Sequence, residues 1–270
     1  MRHKLLTYCS ALSLVFLLSA PAHAMEIGID DRIGAVIVDQ SADDPDGGEL
    51  TTDWSAFYNK TNVSLSNFEK STSPAFELWF GMPVTSESKK DYKYEGDVYD
   101  TLKQSLWGMD TGVNLGWTFE IDTKGLWGER PIYLTPLVGY NWRFFRFVRS
   151  DSESGIYDND FDYGLHYIDV GGLINVGVCD KLDVYFKPMF GIGVYSTYYQ
   201  NGMGTVTDSG DSWYADLDLG LNYKLTEHFT LNISAFYDFL TMDGGVKSGN
   251  NFFDTDMHTV GGKIGLTYNF

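Results

Sequence analysis

Residues 213–225 read Trp213-Tyr214-Ala215-Asp216-Leu217-Asp218-Leu219-Gly220-Leu221-Asn222-Tyr223-Lys224-Leu225. The odd positions are apolar: Trp213, Ala215, Leu217, Leu219, Leu221, Tyr223 and Leu225. Between them stand Asp216, Asp218, Gly220, Asn222 and Lys224. Successive side chains of a strand point to opposite faces, so this segment has one apolar wall and one polar wall. A helix would mix the two sets.

The same period runs in both directions along the chain. Toward the C-terminus, Phe229, Leu231, Ile233, Ala235, Tyr237 and Phe239 share a face, followed by Val260, Gly262, Ile264, Leu266, Tyr268 and Phe270. Toward the N-terminus come Leu182–Val194, Ile168–Val178, Ile132–Phe144, Trp107–Ile121 and the shorter Phe76–Met82. Each predicts a strand, most of them long enough for the roughly 9–11 residues with which a tilted strand crosses a bilayer. Pro136 and Pro188 fall on apolar faces and, lacking an N–H, predict bulges or interrupted pairing. Connections alternate in length. Cys179-Asp180-Lys181 and Thr226-Glu227-His228 are tight, Asp122–Arg130 is medium, and Thr85–Gln104, Val148–Tyr163, Tyr198–Asp211 and Thr241–His258 are long and polar.

A soluble barrel or sandwich also alternates. Here, however, the apolar face is continuous and rich in large aromatics, while the other face holds Asp, Asn, Lys, Thr and Gly. The pattern therefore predicts an all-β fold, a transmembrane antiparallel up-and-down β-barrel of about eight to ten strands, apolar outward and polar inward. Trp107, Trp142 and Trp213 predict one aromatic girdle; Tyr223, Phe229, Tyr268 and Phe270 predict the other.

The two ends agree with this. Arg2, His3 and Lys4, then Ala11–Ala20, then Ala22-His23-Ala24 read as a signal peptide over 1–24, with the mature chain beginning at Met25. Cys9 precedes the apolar stretch, which argues against a lipoprotein, and Cys179 is the cysteine left after cleavage. Residues 25–72 stay open. Ile33–Val38 and Trp54–Leu65 give two further strands joined by the acidic stretch Asp39–Leu50, but Trp54, Phe57, Tyr58, Thr61, Leu65 and Phe68 also fall at helical spacing, which would give a periplasmic or lumen-lying helix. The barrel itself is assigned to 73–270.

The final residues, Lys263-Ile264-Gly265-Leu266-Thr267-Tyr268-Asn269-Phe270, resemble the C-terminal insertion signal of bacterial outer-membrane β-barrel proteins at Lys263, Gly265, Tyr268 and Phe270. The resemblance implies residence in the outer membrane of a Gram-negative cell envelope. It also implies contact with outer-membrane lipid and lipopolysaccharide, delivery by the barrel assembly machinery, extracellular long loops and a periplasmic C-terminus. It fixes no activity, and porin-like conduction is one option among several.

Composition narrows the rest. With 19 Lys and Arg against 37 Asp and Glu, the net charge is −18, which excludes nucleic acid as a partner. The predicted inner faces carry Glu77, Asp110, Glu120, Arg143, Asp169, Asp183, Lys187, Asp216, Asp218, Lys224, Asp238 and Lys263, with Tyr185, Tyr195 and Phe236 adding bulk. Charges confined there must pair, which suits a filled structural lumen or a narrow cation-preferring pore.

The omptin proteases, ten-stranded barrels with paired acidic rim sites, offer a loose resemblance. Asp158-Asn159-Asp160 and Asp160-Phe161-Asp162 would be the acidic pair and Asp256-Met257-His258 the Asp-x-His, implying a rim-active hydrolase. The His-x-Ser of barrel lipid A deacylases is not matched at His166-Tyr167-Ile168 or His258-Thr259-Val260. Asp151, Glu153, Asp158, Asp160 and Asp162 could hold an extracellular ligand or a calcium ion, although EF-hand spacing is missing. No cofactor, zinc or phosphate-loop motif stands out, and no catalytic residue is assigned.

Overall fold

The computed structural model describes residues 26–43, 48–66, 72–85, 88–94, 97–121, 130–150, 161–200, 204–208, 212–243, 245–247, 250–252 and 254–270. The barrel is closed by ten antiparallel strands. In chain order the strands are β1 (Glu26–Asp43), β2 (Gly48–Ser66), β3 (Thr72–Thr85), β4 (Ser88–Tyr94), β5 (Asp97–Ile121), β6 (Ile132–Ser150) and β7 (Phe161–Cys179). They continue with β8 (Leu182–Gln200), β9 (Gly204–Asp208), β10 (Ser212–Lys224), β11 (Phe229–Met242), β12 (Gly245–Lys247), β13 (Asn250–Phe252) and β14 (Asp254–Asn269). Strand β14 pairs with β1, and β1 with β2, so the wall has no free edge. The last amide, that of Phe270, donates to the Ile27 carbonyl at 3.1 Å.

The remaining short strands build outward at one end. β4 pairs with the start of β5 and the start of β2, β9 folds back on β8, and β12 and β13 form a hairpin. At the opposite end the β7–β8 and β10–β11 connections are tight. Between β10 and β11 the Thr226 hydroxyl accepts from the His228 and Phe229 amides at 3.2 and 3.0 Å. The first is the loop end of the barrel and the second its turn end.

Residues 26–43 and 48–66 thus form two full strands of the wall, and among the described residues of this segment there is no helix. Trp54 and Tyr58 lie on one face because a spacing of four is also a multiple of two, and Phe57 points the other way. Within the acidic stretch Asp39–Leu50, residues 39–43 and 48–50 are strand, and Asp43 pairs with Glu49.

The apolar period faces out. Ile37, Val138, Leu219 and Ile233 are 52%, 52%, 54% and 46% exposed, within a belt that circles the barrel. An aliphatic belt of this extent fits a hydrocarbon slab, where each side chain is stabilised by about 1.5–3 kcal/mol relative to water. At the loop-end margin of the belt Trp107 packs on Phe144 and Trp213 on Phe239, with centroids 5.3 and 4.9 Å apart. At the turn-end margin Tyr268 lies between Phe229 and Phe270, at 5.1 and 4.7 Å. Both prolines interrupt a ladder without shifting register. Pairing of β5 with β6 skips from Gly116–Leu137 to Phe119–Leu134 around Pro136, and pairing of β7 with β8 skips from Gly171–Met189 to Ile174–Phe186 around Pro188.

One inner-face expectation is overturned. A register shift between His166 and Tyr167 in the β7–β8 ladder moves Tyr195 to the outer wall, where its ring sits 5.4 Å from His166. A bulge inverts the parity of everything beyond it, and no residue type in this stretch announces one.

Candidate functional site: a lumen in two halves

Inside the loop-end half the wall is apolar. Trp54, Leu106, Phe147, Tyr163, Leu165, Tyr167, Tyr198, Tyr214, Leu240 and Met242 are essentially inaccessible and form one cluster. Phe147 stands edge-on to Tyr163 at 5.6 Å, Tyr163 to Tyr198 at 5.5 Å and Tyr167 to Tyr214 at 4.9 Å. Trp54 closes the stack against Phe147 at 6.0 Å, its indole N–H donating to the Gln104 carbonyl at 3.1 Å. This is a plug built from the walls themselves.

Glycines make room for the large rings. A Cβ on Gly191 would lie 2.0 Å from the Tyr214 ring, one on Gly220 2.5 Å from the Tyr185 ring, and one on Gly112 2.3 Å from the Trp79 indole. Each ring therefore lies flat on the bare backbone of a neighbouring strand.

Below the plug is a layer of paired charges. Arg143 donates to Asp238 at 2.6 Å and covers the Tyr214 ring at 3.9 Å, so it joins the two halves. Lys263 donates to Asp218 at 2.7 Å, and the Tyr185 hydroxyl donates to the same carboxylate at 3.2 Å. Lys187 donates to Glu77, which also accepts from the Asn114 amide at 3.0 Å. The Trp79 indole donates to Asp110 at 3.4 Å. Asp169 is fully buried and Asp216 partly so on the same inner surface. Toward the turn end the interior opens into a cavity of about 450 Å³, with Asp183 and Lys224 in its wall. Glu120 stands exposed near the turn-end tip of β5.

Sequence reading missed part of this. Asp30, Arg32 and Lys60 belong to the lumen, since β1 and β2 are wall strands. Arg32 pairs with Asp30 at 2.5 Å and donates to the Tyr185 hydroxyl at 2.5 Å, and Asn232 donates to Asp30 at 3.2 Å. The plug was also missed, because β7 is apolar on both faces around Tyr163–Ile168 and alternation fades there. Of the terminal residues, Lys263 is spent on Asp218, Gly265 faces Arg32, and Tyr268 and Phe270 face out.

Of the residues considered for rim hydrolysis, Asp162, Asp256 and His258 are among the described residues. His258 points outward, its Nδ1 2.7 Å from the Tyr237 hydroxyl and its ring 4.6 Å from Phe239, and Asp256 is exposed on that same outer wall. Asp162 lies near Arg146 at 3.5 Å. Asp151, Glu153, Asp158, Asn159 and Asp160 lie outside the described residues. His166 is engaged outside as well, with the Tyr140 hydroxyl. Among the described residues no cluster of His, Cys, Asp and Glu has the geometry to hold a metal ion.

A closed, belted, up-and-down barrel of this kind has the fold of bacterial outer-membrane proteins. The solved structures it resembles include the outer-membrane protease OmpT of Escherichia coli, with a TM-score of 0.54 at 12% identity over 91% of this chain and 97% of that one. A major outer-membrane protein of Thermus thermophilus aligns with a TM-score of 0.42 at 12% identity, over 92% and 100% of the two chains. The translocator domain of the autotransporter NalP of Neisseria meningitidis aligns at 0.40 and 12%, over 99% and 96%. No family model and no curated protein matches the sequence.

Proposed function

We propose that the chain is an integral outer-membrane protein with a closed lumen, working through its loop end in a structural or surface-binding role. The observation that supports this reading is the plug. Side chains from strands all around the barrel, among them Val38, Trp54, Leu106, Phe147, Tyr198 and Leu240, pack into one cluster across the loop-end half, Trp54 of β2 reaching Phe147 of β6 at 6.0 Å. They leave essentially no accessible surface along which a hydrated ion could pass. A ten-stranded wall has only a narrow bore to begin with. The charged layer beneath is then a bracing device. Its carboxylates and cations are tied across strands distant in sequence, which holds the barrel's cross-section.

In this reading the loop end is extracellular, the turn end periplasmic, residues 1–24 are removed, and the Tyr268–Phe270 terminus is what the assembly machinery reads. The outer belt and girdles meet membrane lipid and lipopolysaccharide. The test is conductance of the refolded chain in a planar bilayer, in potassium chloride at neutral pH. Silence from protein shown to be folded is expected; discrete cation-selective steps would make it a channel instead. Orientation is tested at Cys179, which is exposed at the turn end. An impermeant maleimide should reach it in permeabilised cells and not in intact ones.

A further inference from the structure

The turn-end cavity ends blindly beneath the plug, and its cations are unevenly satisfied. Arg32 has Asp30, Lys187 has Glu77 and Lys263 has Asp218. Lys60 lines the same cavity, and among the described residues it makes no ion pair; its ammonium lies 5.2 Å from the Trp79 ring. Lys60 is also directly opposite Arg32 in the β1–β2 ladder, with both side chains on the inner wall. Two like charges at directly opposed positions repel, and here they do so inside a narrow bore. Asp30, Glu77 and Asp218 already serve Arg32, Lys187 and Lys263, and their charges, like that of Asp216, reach Lys60 without an ion pair. An anion entering from the turn end would relieve the repulsion.

Around these cations the wall offers neutral hydrogen-bonding side chains, among them Asn62, Ser64, Asn222 and Thr230. Amides and small hydroxyls of this kind recognise hydroxyl groups. A volume of about 450 Å³ lies within the range of small-molecule sites and suits a ligand of one sugar ring. The mouth is marked by Arg130 and Asp180, themselves paired at 2.7 Å.

We propose that the turn-end cavity binds a small hydroxylated carboxylate of sugar-acid size, with Lys60 receiving the carboxylate. The site would take its ligand from the periplasmic side and, being a cul-de-sac, return it there. Binding is read separately from conductance, so silence in a bilayer leaves this inference standing and a failed titration leaves the closed-barrel reading standing.

The experiment is calorimetric titration of the detergent-folded chain with D-glucuronate, with D-glucose and acetate as probes of the two halves of the ligand. One glucuronate per barrel is expected, with glucose and acetate each at least about 10-fold weaker, the scale of one lost charge-assisted hydrogen bond. Lys60→Gln should weaken glucuronate by about 10-fold or more, while Lys60→Arg stays within a few-fold. Because Lys60 also faces the charges of Asp30, Glu77, Asp216 and Asp218, the urea midpoint of each variant is measured beside the titration, and Lys60→Arg, which keeps the charge, guards against loss of fold. No heat from folded wild type, equal binding of glucose, or full binding by Lys60→Gln would each overturn the proposal.

Discussion

The two halves of the lumen share their walls, their strands and their period-two pattern, yet they solve the problem of an enclosed interior in opposite ways. In the loop-end half, Trp54, Phe147, Tyr163, Leu165 and Tyr198 fill space by direct packing and leave essentially no accessible surface. In the turn-end half, charged groups are tied in pairs and a cavity of about 450 Å³ remains. Packing is indifferent to which ring meets which, so the plug tolerates rearrangement but not deletion. Ion pairs behave differently. A pair can be exchanged as a whole, whereas removal of one partner strands the other in a poor solvent. The barrel therefore has one half that is sealed by volume and one that is braced by charge.

The most drastic way to break the comparison is to empty the plug. A Trp54→Ala, Phe147→Ala double variant should lose about 3–5 kcal/mol for each ring deleted and give resolvable conductance steps where the wild type is expected to give none. Bilayer recording with urea unfolding as the companion measurement checks it. A variant that stays silent while folded would mean that the remaining rings suffice to seal the bore. Next in size is the charged layer. Lys263 and Asp218 are 4% and 13% exposed at the side chain. Lys263→Met alone should cost about 3–5 kcal/mol by leaving Asp218 uncompensated, whereas Lys263→Met with Asp218→Leu should recover most of the loss. Urea midpoints of the four members of that cycle decide it. A double variant as unstable as the single would show that the pair acts through the wider network of Arg32 and Tyr185 rather than on its own.

The outer wall was legible because its apolar side chains alternate strictly with inward ones, and strands such as β10 and β11 were readable residue by residue. The inner wall was only half legible. Charges at Asp218, Lys187 and Lys263 stand out on a polar face, but aromatic rings at Tyr163, Tyr167 and Tyr214 do not stand out beside an apolar outer face. Lys60 and Arg32 were hidden for another reason: Trp54 and Tyr58 satisfy helical and extended spacing together, so the strand that carries Lys60 had no unique period. At Tyr195 the register shift reversed the parity with no local warning. Pairing across the barrel, as between Lys187 and Glu77, depends on closure and register, which are properties of the whole sheet.

The glycine seats allow a like-for-like test of the two halves. Gly191→Ala drives a methyl into the Tyr214 ring within the plug, and Gly220→Ala drives one into the Tyr185 ring within the braced half. Each should cost about 1–3 kcal/mol, the ordinary penalty of overpacking. The second should cost less, because Tyr185 borders the cavity and has space to yield. Unfolding free energies of the two variants settle the order. An equal cost would mean that the hydrogen bonds of Tyr185 to Arg32 and Asp218 hold it as firmly as packing holds Tyr214.

The smallest effect lies where neither device operates. At the loop-end rim Asp43 is opposite Glu49 on one side and Asp254 on the other, so acidic groups face each other across both ladders. Partial burial, then repulsion from Glu49, Asp254 and Asp256, holds the Asp43 carboxyl above its ordinary range. A carboxyl raised in the folded state binds its proton more tightly there than in the unfolded chain. It therefore favours the fold at low pH and loses that contribution as pH climbs through its raised value. Acidification from neutral pH should thus tighten the β1–β14 rim. Since the group is mostly exposed, screening keeps the effect below what global unfolding can resolve. Amide hydrogen exchange at Ala42 and Thr255 can resolve it. Protection there should rise as pH falls toward the carboxylate range, after correction for intrinsic exchange, and Asp43→Asn should raise protection at neutral pH and flatten the dependence. Protection that falls on acidification in the wild-type rim would mean that these carboxylates are stabilised by cations rather than set against one another.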